Sequence, residues 1–475
     1  MPKPVNQVPV TPSLPTPPPA TVSRRDLLRG AAAWASVSVL PATVLSSSVR
    51  AAHSSKPALA GVGVGGVGFG QLQDLEKAGF EIVALCDVDF AYARKAFDKW
   101  PQARRYKDFR EMLQTEGDKA DAVYCGTPDH THTIVTLEAL RRRKHVCCVK
   151  PLTRTVAESS AVLEAVRAAG TKTQMTASPN TGEDGCRITE LIQGGAIGPV
   201  REVHIWTARP WWPQGMLRPA GEDPVPADLD WKLWLGPAPQ RPYKGDWPAG
   251  SAPVEQVNAF GGKSPFGNGV YHPFNFRGWW DFGTGALGDM GCHYFNTPFR
   301  ALGLRYPISV QATGTRVFPE SAPLAAMVTY DFPARGEMPP VRVTWYDGGL
   351  RPPAPKELAG KPLDEEGILY VGDAGKMLGS QVLPGAKGKD PASIAKTLER
   401  RGGTWAEWYE AVTKDTRAGC DFEWSVPLTA MVLLGNIALR TGKHLAWDAQ
   451  TLRFTNSPEA NQLLTPKYEN GWKLG

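Results

Sequence analysis

Between positions 55 and 176, short apolar runs alternate with longer stretches in which apolar residues recur every three or four positions. The runs are Pro57-Ala58-Leu59-Ala60, Ile82 to Cys86, Ala120 to Cys125 and His145 to Val149. Each has the length and make-up of a strand covered on both faces. The amphipathic stretches between them predict helices: one directly after Gly70, another from Tyr106 to Leu113, and a third from Thr131 to Arg143. A fourth starts at Val156, where Ala157, Val162, Leu163 and Val166 follow a helical period and lead to Gln174-Met175-Thr176. Strands alternating with helices at this spacing predict an α/β fold, a doubly wound parallel sheet of Rossmann type over residues 55–176.

After residue 177 the pattern changes. A helix is expected from Ile188 to Gln193, ended by Gly194-Gly195, and then come runs that alternate or are rich in β-branched residues. These are Arg201 to Thr207, Ile308 to Arg316, Ala325 to Phe332, Val341 to Tyr346 and Gly367 to Val371. They predict a second, α+β domain over 177–475 with a large, mainly antiparallel open sheet. Thr404 to Thr413 and Ser425 to Leu439 read as helices that pack back on the core. Half of the 16 tryptophans fall between 206 and 280, which marks that segment as an insertion.

The chemistry begins at Gly61 to Gly70. Gly63-x-Gly65-x-x-Gly68 follows the first strand and opens a helix, with Gly66 and Val67 inside the turn. That is where a dinucleotide pyrophosphate approaches backbone amides at a helix N-terminus. Alone the motif is also an ordinary turn. Asp87, at the end of the second strand and 19 residues after Gly68, strengthens it, because an acid there accepts hydrogen bonds from ribose hydroxyls and repels a 2'-phosphate. The cofactor is therefore expected to be NAD in preference to NADP. Ligands in such sheets bind outside the carboxyl ends of the strands, which selects Thr127-Pro128, His130, His132 and Lys150-Pro151.

In the second half, a helix near Leu287 places Asp289, His293 and Asn296 on one face. A carboxylate and an imidazole projecting into a cleft can position and deprotonate a hydroxyl; capping and core packing are the plainer roles for the same residues. In the tryptophan-rich insertion, aromatic faces suit sugar rings and Arg209, Tyr271, His272 and Arg277 suit hydroxyls, although about half of these rings are expected to pack the insertion itself.

Gly63-Val64-Gly65-Gly66-Val67-Gly68, Cys86-Asp87-Val88-Asp89, Thr127-Pro128-Asp129-His130-Thr131-His132 and Lys150-Pro151-Leu152-Thr153 resemble the glucose-fructose oxidoreductase, inositol dehydrogenase and rhizopine-catabolism (Gfo/Idh/MocA) family. Asp289-x-Gly291-x-His293 matches the same family's later motif. The resemblance implies that Lys150 lies beside nicotinamide and substrate, that Lys150, Asp289 and His293 are catalytic, and that one face of the second sheet makes a homo-oligomer, dimer or tetramer. Two positions depart from the pattern: Val149 replaces the glutamate before the lysine, and Asn296 replaces an aspartate.

Charge and leader complete the picture. Lys3, Arg24, Arg25, Arg29 and Arg50 against Asp26 make residues 1–51 +4, so only +2 of the formal +6 remains beyond them. That excludes an electrostatic footprint for nucleic acid. Ser23-Arg24-Arg25-Asp26-Leu27-Leu28-Arg29, followed by the apolar Ala31 to Leu45, reads as a twin-arginine signal, cut near Val49-Arg50-Ala51, with the translocase as a partner and no stable membrane anchor. Seven cysteines without a C-x-x-C pair predict buried thiols and no metal site. The expectation is an exported, periplasmic oxidoreductase with a tightly bound cofactor, transferring hydride at a sugar or polyol carbinol. His293 is the expected acid/base, oriented by Asp289, and Lys150 polarises the oxygen. An NAD-dependent glycosidase working by transient oxidation and elimination, and a catalytically inactive sugar-binding protein, are the alternatives.

Overall fold

A computed structural model describes residues 56–248 and 269–474; the leader expected at 1–51 lies outside the described residues. Strands β1 (Ala58–Val62), β2 (Glu81–Cys86), β3 (Arg104–Tyr106), β4 (Ala122–Cys125), β5 (His145–Val149) and β6 (Thr173–Thr176) form one sheet in the order β3-β2-β1-β4-β5-β6. Every pairing in it is parallel. The strand order reverses between β1 and β4, and helices α1 (Val67–Ala78) and α2 (Asp129–Arg141) start there, opening a crevice at the carboxyl ends.

Helix bounds differ from the expectation where caps decide them. The stretch expected as a helix from Tyr106 to Leu113 divides: Tyr106 pairs with Cys86 and ends β3, and the helix runs Phe109–Glu116. Asp108 fixes that start, its carboxylate accepting the Arg110 N–H at 2.9 Å. The helix expected at Ile188 starts earlier, at Glu183.

The second sheet has nine strands, and it is mixed: β7 (Val200–Trp206) runs parallel to β10 (Val341–Tyr346), while the other pairings are antiparallel. Its remaining strands are β8 (Ser309–Gly314), β9 (Ala326–Phe332), β11 (Gly367–Gly372), β12 (Gly375–Leu378), β13 (Gln381–Val382), β14 (Leu445–Asp448) and β15 (Arg453–Phe454). The helix Phe422–Thr441, capped by Asp421 through the Trp424 N–H at 2.9 Å, packs on the Val156–Ala169 helix, the Gly285–Tyr294 helix, β8 and β9. By length and composition it could cross a membrane, but it is almost wholly buried in protein contacts. One core cluster runs from Val123 and Met175 through Leu287 to Val328 and Leu434, so the two sheets share it. All seven cysteines are buried, free thiols.

Candidate active site

A cavity of about 660 Å³ lies over the crevice, reaching from the glycine turn to Arg209 and His293. At the cofactor end Gly63 has φ +73°, and a Cβ there would stand 2.6 Å from the Thr127 N, so the turns after β1 and β4 touch only because no side chain intervenes. A Cβ on Gly68 would stand 2.0 Å from the Gly63 oxygen, which ties α1 closely to β1. Val67, the first residue of α1, is half exposed at the cavity wall, and the helix N-terminus there presents amides to it. The Thr176 hydroxyl at the end of β6 is buried in the cavity wall with no hydrogen-bond partner. A bare glycine cradle, a helix N-terminus and an orphaned hydroxyl fit a dinucleotide.

Asp87 is more heavily used than its motif suggests. Its Oδ2 accepts the Val64 and Gly65 N–H groups at 2.9 and 3.0 Å, and its Oδ1 accepts the Asp89 N–H at 3.0 Å. Burial pushes its carboxyl up, against those three lowering bonds. Of about four lone-pair sites on a carboxylate, three are taken, so Asp87 shapes the glycine turn and keeps room for one ribose hydroxyl where two are expected. Tyr92 was not singled out by sequence: it lies across the glycine turn, its hydroxyl 1.8 Å from where a Gly66 Cβ would stand. Burial raises that phenol to about 12.

At the other end, the Lys150 Nζ and the Arg277 Nε both donate to Asp289 Oδ1, the arginine at 2.8 Å. Burial opposes ionisation of Asp289, but the two cations win and hold its carboxyl well below the usual carboxylate range. Val149, where the resemblance leads one to expect a glutamate, packs against an apolar cluster that includes Leu72 and Phe80. The carboxylate partner of Lys150 thus comes from the second half of the chain.

Asp289 does not orient His293. The His293 Nδ1 instead accepts the Ser178 N–H at 2.9 Å and lies 3.0 Å from the Ser178 hydroxyl. A backbone N–H can only donate, so the neutral ring carries its proton on Nε2. Burial, then the charge of Lys150, lowers its pKa to about 3. Asp129, at the start of α2, lines the cavity and accepts the Thr284 hydroxyl on its Oδ2 at 2.7 Å, and burial raises its pKa.

Several candidates stand elsewhere than expected. His130 and His132 are fully buried behind the cavity wall. His130 places Nε2 2.8 Å from the Trp234 oxygen, and His132 spans the Pro151 and Thr127 oxygens at 2.7 and 2.8 Å, tying the two site loops together. Thr127 and Pro128 do line the cavity. Tyr271 is buried among Trp231, Trp279 and Phe282, because the insertion needs an apolar core of its own. Asn296 is also buried, since the helix carrying His293 ends at Tyr294 and the chain turns. Its Nδ2 donates to the Ser178 oxygen at 2.7 Å, so it supports the residue that holds His293.

His272, expected beside substrate, belongs to the cofactor side. Its Nδ1 accepts the Trp234 Nε1–H at 3.2 Å, which leaves Nε2–H to donate to Asp89 Oδ2 at 3.0 Å. Backbone bonds reinforce this contact: the Asp230 N–H donates to the Val88 oxygen at 2.8 Å and the Phe90 N–H to the Asp228 oxygen at 3.2 Å. The insertion therefore clasps the end of β2. Arg209 and Arg277 remain at the substrate end, with Trp211, 52% exposed, beside Arg209.

Residues 58–177 match the oxidoreductase family GFO_IDH_MocA, NAD-binding Rossmann fold. Inositol 2-dehydrogenase of Salmonella typhimurium is 29% identical over 147 residues, 30% of this chain and 43% of that protein. An uncharacterised oxidoreductase of Rhizobium meliloti is 30% identical over 129 residues, 27% of this chain and 38% of its own length. The chain thus matches under half the length of these curated relatives. Among solved structures, the WlbA dehydrogenase from Bordetella pertussis, in complex with NADH and UDP-GlcNAcA, has a TM-score of 0.57 at 15% identity, covering 83% of this chain and 99% of that one. A levoglucosan dehydrogenase in complex with NADH and levoglucosan has a TM-score of 0.52 at 15% identity, covering 82% and 99%. At such identities the likeness is one of fold, and it extends across both sheets. Residues 58–177 thus form a Rossmann domain whose sequence matches the NAD-binding domain of the Gfo/Idh/MocA oxidoreductase family.

Proposed function

We propose that this protein is an NAD-dependent oxidoreductase that moves hydride between the carbinol carbon of a sugar or polyol and a firmly held nicotinamide. The observation that carries this reading is one cavity joining the glycine cradle to the Lys150–Asp289–Arg277 cluster, with His293 beside it. A polyol-acting relative and a sugar-bound structural neighbour support the substrate class. Asp87, the acid in the cavity wall after β2, favours NAD over NADP.

A bound nicotinamide supplies the hydride donor or acceptor. The chain's residues place the carbon and handle one proton. Lys150, steered by Asp289, gives the proton from Nζ to the substrate oxygen in reduction and takes it back in oxidation. His293 donates from Nε2 to the same oxygen and stays neutral, because Ser178 occupies its other nitrogen. The clasp over β2 supports slow exchange of the cofactor. Firm retention also fits an exported protein that leaves the cytoplasm folded through the twin-arginine route, as Arg24-Arg25 suggests.

The test is a mass spectrum of the freshly purified, denatured protein, followed by incubation with a sugar and polyol panel. Release of NAD and reduction of the bound cofactor by at least one carbinol are expected. Protein purified without nicotinamide, and unable to acquire it, would sink the proposal.

A further inference from the structure

Arg209 stands out among the cavity's cations. Lys150 and Arg277 share Asp289, but Arg209 has no carboxylate within ion-pair distance among the described residues, and its Nη1 is buried without a hydrogen-bond partner. The nearby acid Glu366 is engaged elsewhere: the Thr207 hydroxyl donates to its Oε1 at 2.7 Å and the Tyr294 hydroxyl to its Oε2. The guanidinium lies over the Trp211 ring, 3.1 Å from the centroid, so its orientation is held while its donors stay unused. Its charge reaches the reacting end, since it acts on both His293 and Tyr294.

A buried N–H donor on a permanent cation is costly when unmet, and a planar fork is best met by a carboxylate. We infer that Arg209, held by Trp211, is a carboxylate subsite, and that the substrate is an acidic sugar of the uronate kind. Its carboxylate pairs with the guanidinium while its carbinol meets Lys150 and His293. The inference rests on the sugar-oxidoreductase reading for the reacting carbon, whereas binding of the carboxylate depends on Arg209 alone.

The experiment is isothermal titration of the cofactor-loaded protein with glucose, glucuronate and glucose 6-phosphate, and with galactose and galacturonate, alongside cofactor reduction. At least one uronate is expected to bind roughly 10- to 100-fold more tightly than its neutral homologue. In Arg209→Gln that ratio falls to near unity, and in Arg209→Lys it is partly kept, which also shows that the site still folds. Equal binding of acidic and neutral sugars, a ratio unchanged in Arg209→Gln, or no binding at all overturns the subsite. Tighter, Arg209-dependent binding of glucose 6-phosphate overturns the carboxylate in favour of a phosphoryl group. Arg209-dependent uronate binding with no cofactor reduction by any sugar keeps the subsite and rejects the redox reading; reduction by neutral sugars regardless of Arg209 does the reverse.

Discussion

At the scale of single residues, the hydrogen bond from the Ser178 N–H to His293 Nδ1 changes the assignment of proton handling. A histidine serving as base needs a free acceptor nitrogen, and here the acceptor is already filled. Lys150→Met is therefore expected to lower turnover by about 10²- to 10⁴-fold with cofactor still bound. His293→Gln costs less, and because His293 titrates at about 3, its loss is the same at every pH across the neutral range. A pH–rate profile of the wild type with a limb near the ordinary histidine value, abolished in His293→Gln, would contradict this. Asp289→Asn removes the anion from two cations in a site only 10% exposed at that side chain, and is expected to destabilise by about 3 kcal/mol or more in urea unfolding.

At the scale of elements, the insertion acts on the far side of the cavity from where its aromatics point in sequence. The His272–Asp89 bond and the backbone bonds from 228–230 to the end of β2 close over the ribose end. His272→Ala is expected to speed release of bound NAD by roughly 10-fold, measured by trapping the released cofactor, with little effect on sugar binding. An unchanged release rate would show that the clasp is architecture alone. Much of this layer was legible. The strands β1, β2, β4 and β5 are apolar runs that nothing but a two-sided burial explains, and the alternating runs of the second half became β7 to β11. The short β3 was not, because Arg104, Arg105 and Tyr106 carry no strand period, and Asp108 rather than hydrophobicity sets the next helix. Lys150 and Asp289 were legible singly, but their pairing bridges 139 positions and no local pattern encodes it. Tyr271 looked like a sugar contact because aromatic residues look alike in sequence whether they line a cleft or, as here, fill a core.

At the scale of the whole molecule, the shared core carries a pH dependence. His130 and His293 are both neutral in the fold, with pKa values lowered to about 3, first by burial. Unfolding returns each to about 6.5, so between those values the unfolded chain binds more protons and stability falls as pH drops. Asp289 adds a loss in the same direction but in a lower window, since its depressed carboxyl contributes stability that is lost only as pH falls below about 4. The two windows separate the causes. From pH 6.5 to pH 5 each histidine accounts for about 2 kcal/mol of lost stability, and the carboxylate for almost none. His130→Gln keeps an N–H to donate to the Trp234 oxygen while removing one titration. Urea unfolding of this variant is therefore expected to show a shallower slope against pH than the wild type in that range, by about one proton's worth, ~1.4 kcal/mol per pH unit; an unchanged slope would mean that His130 is not held neutral by its burial.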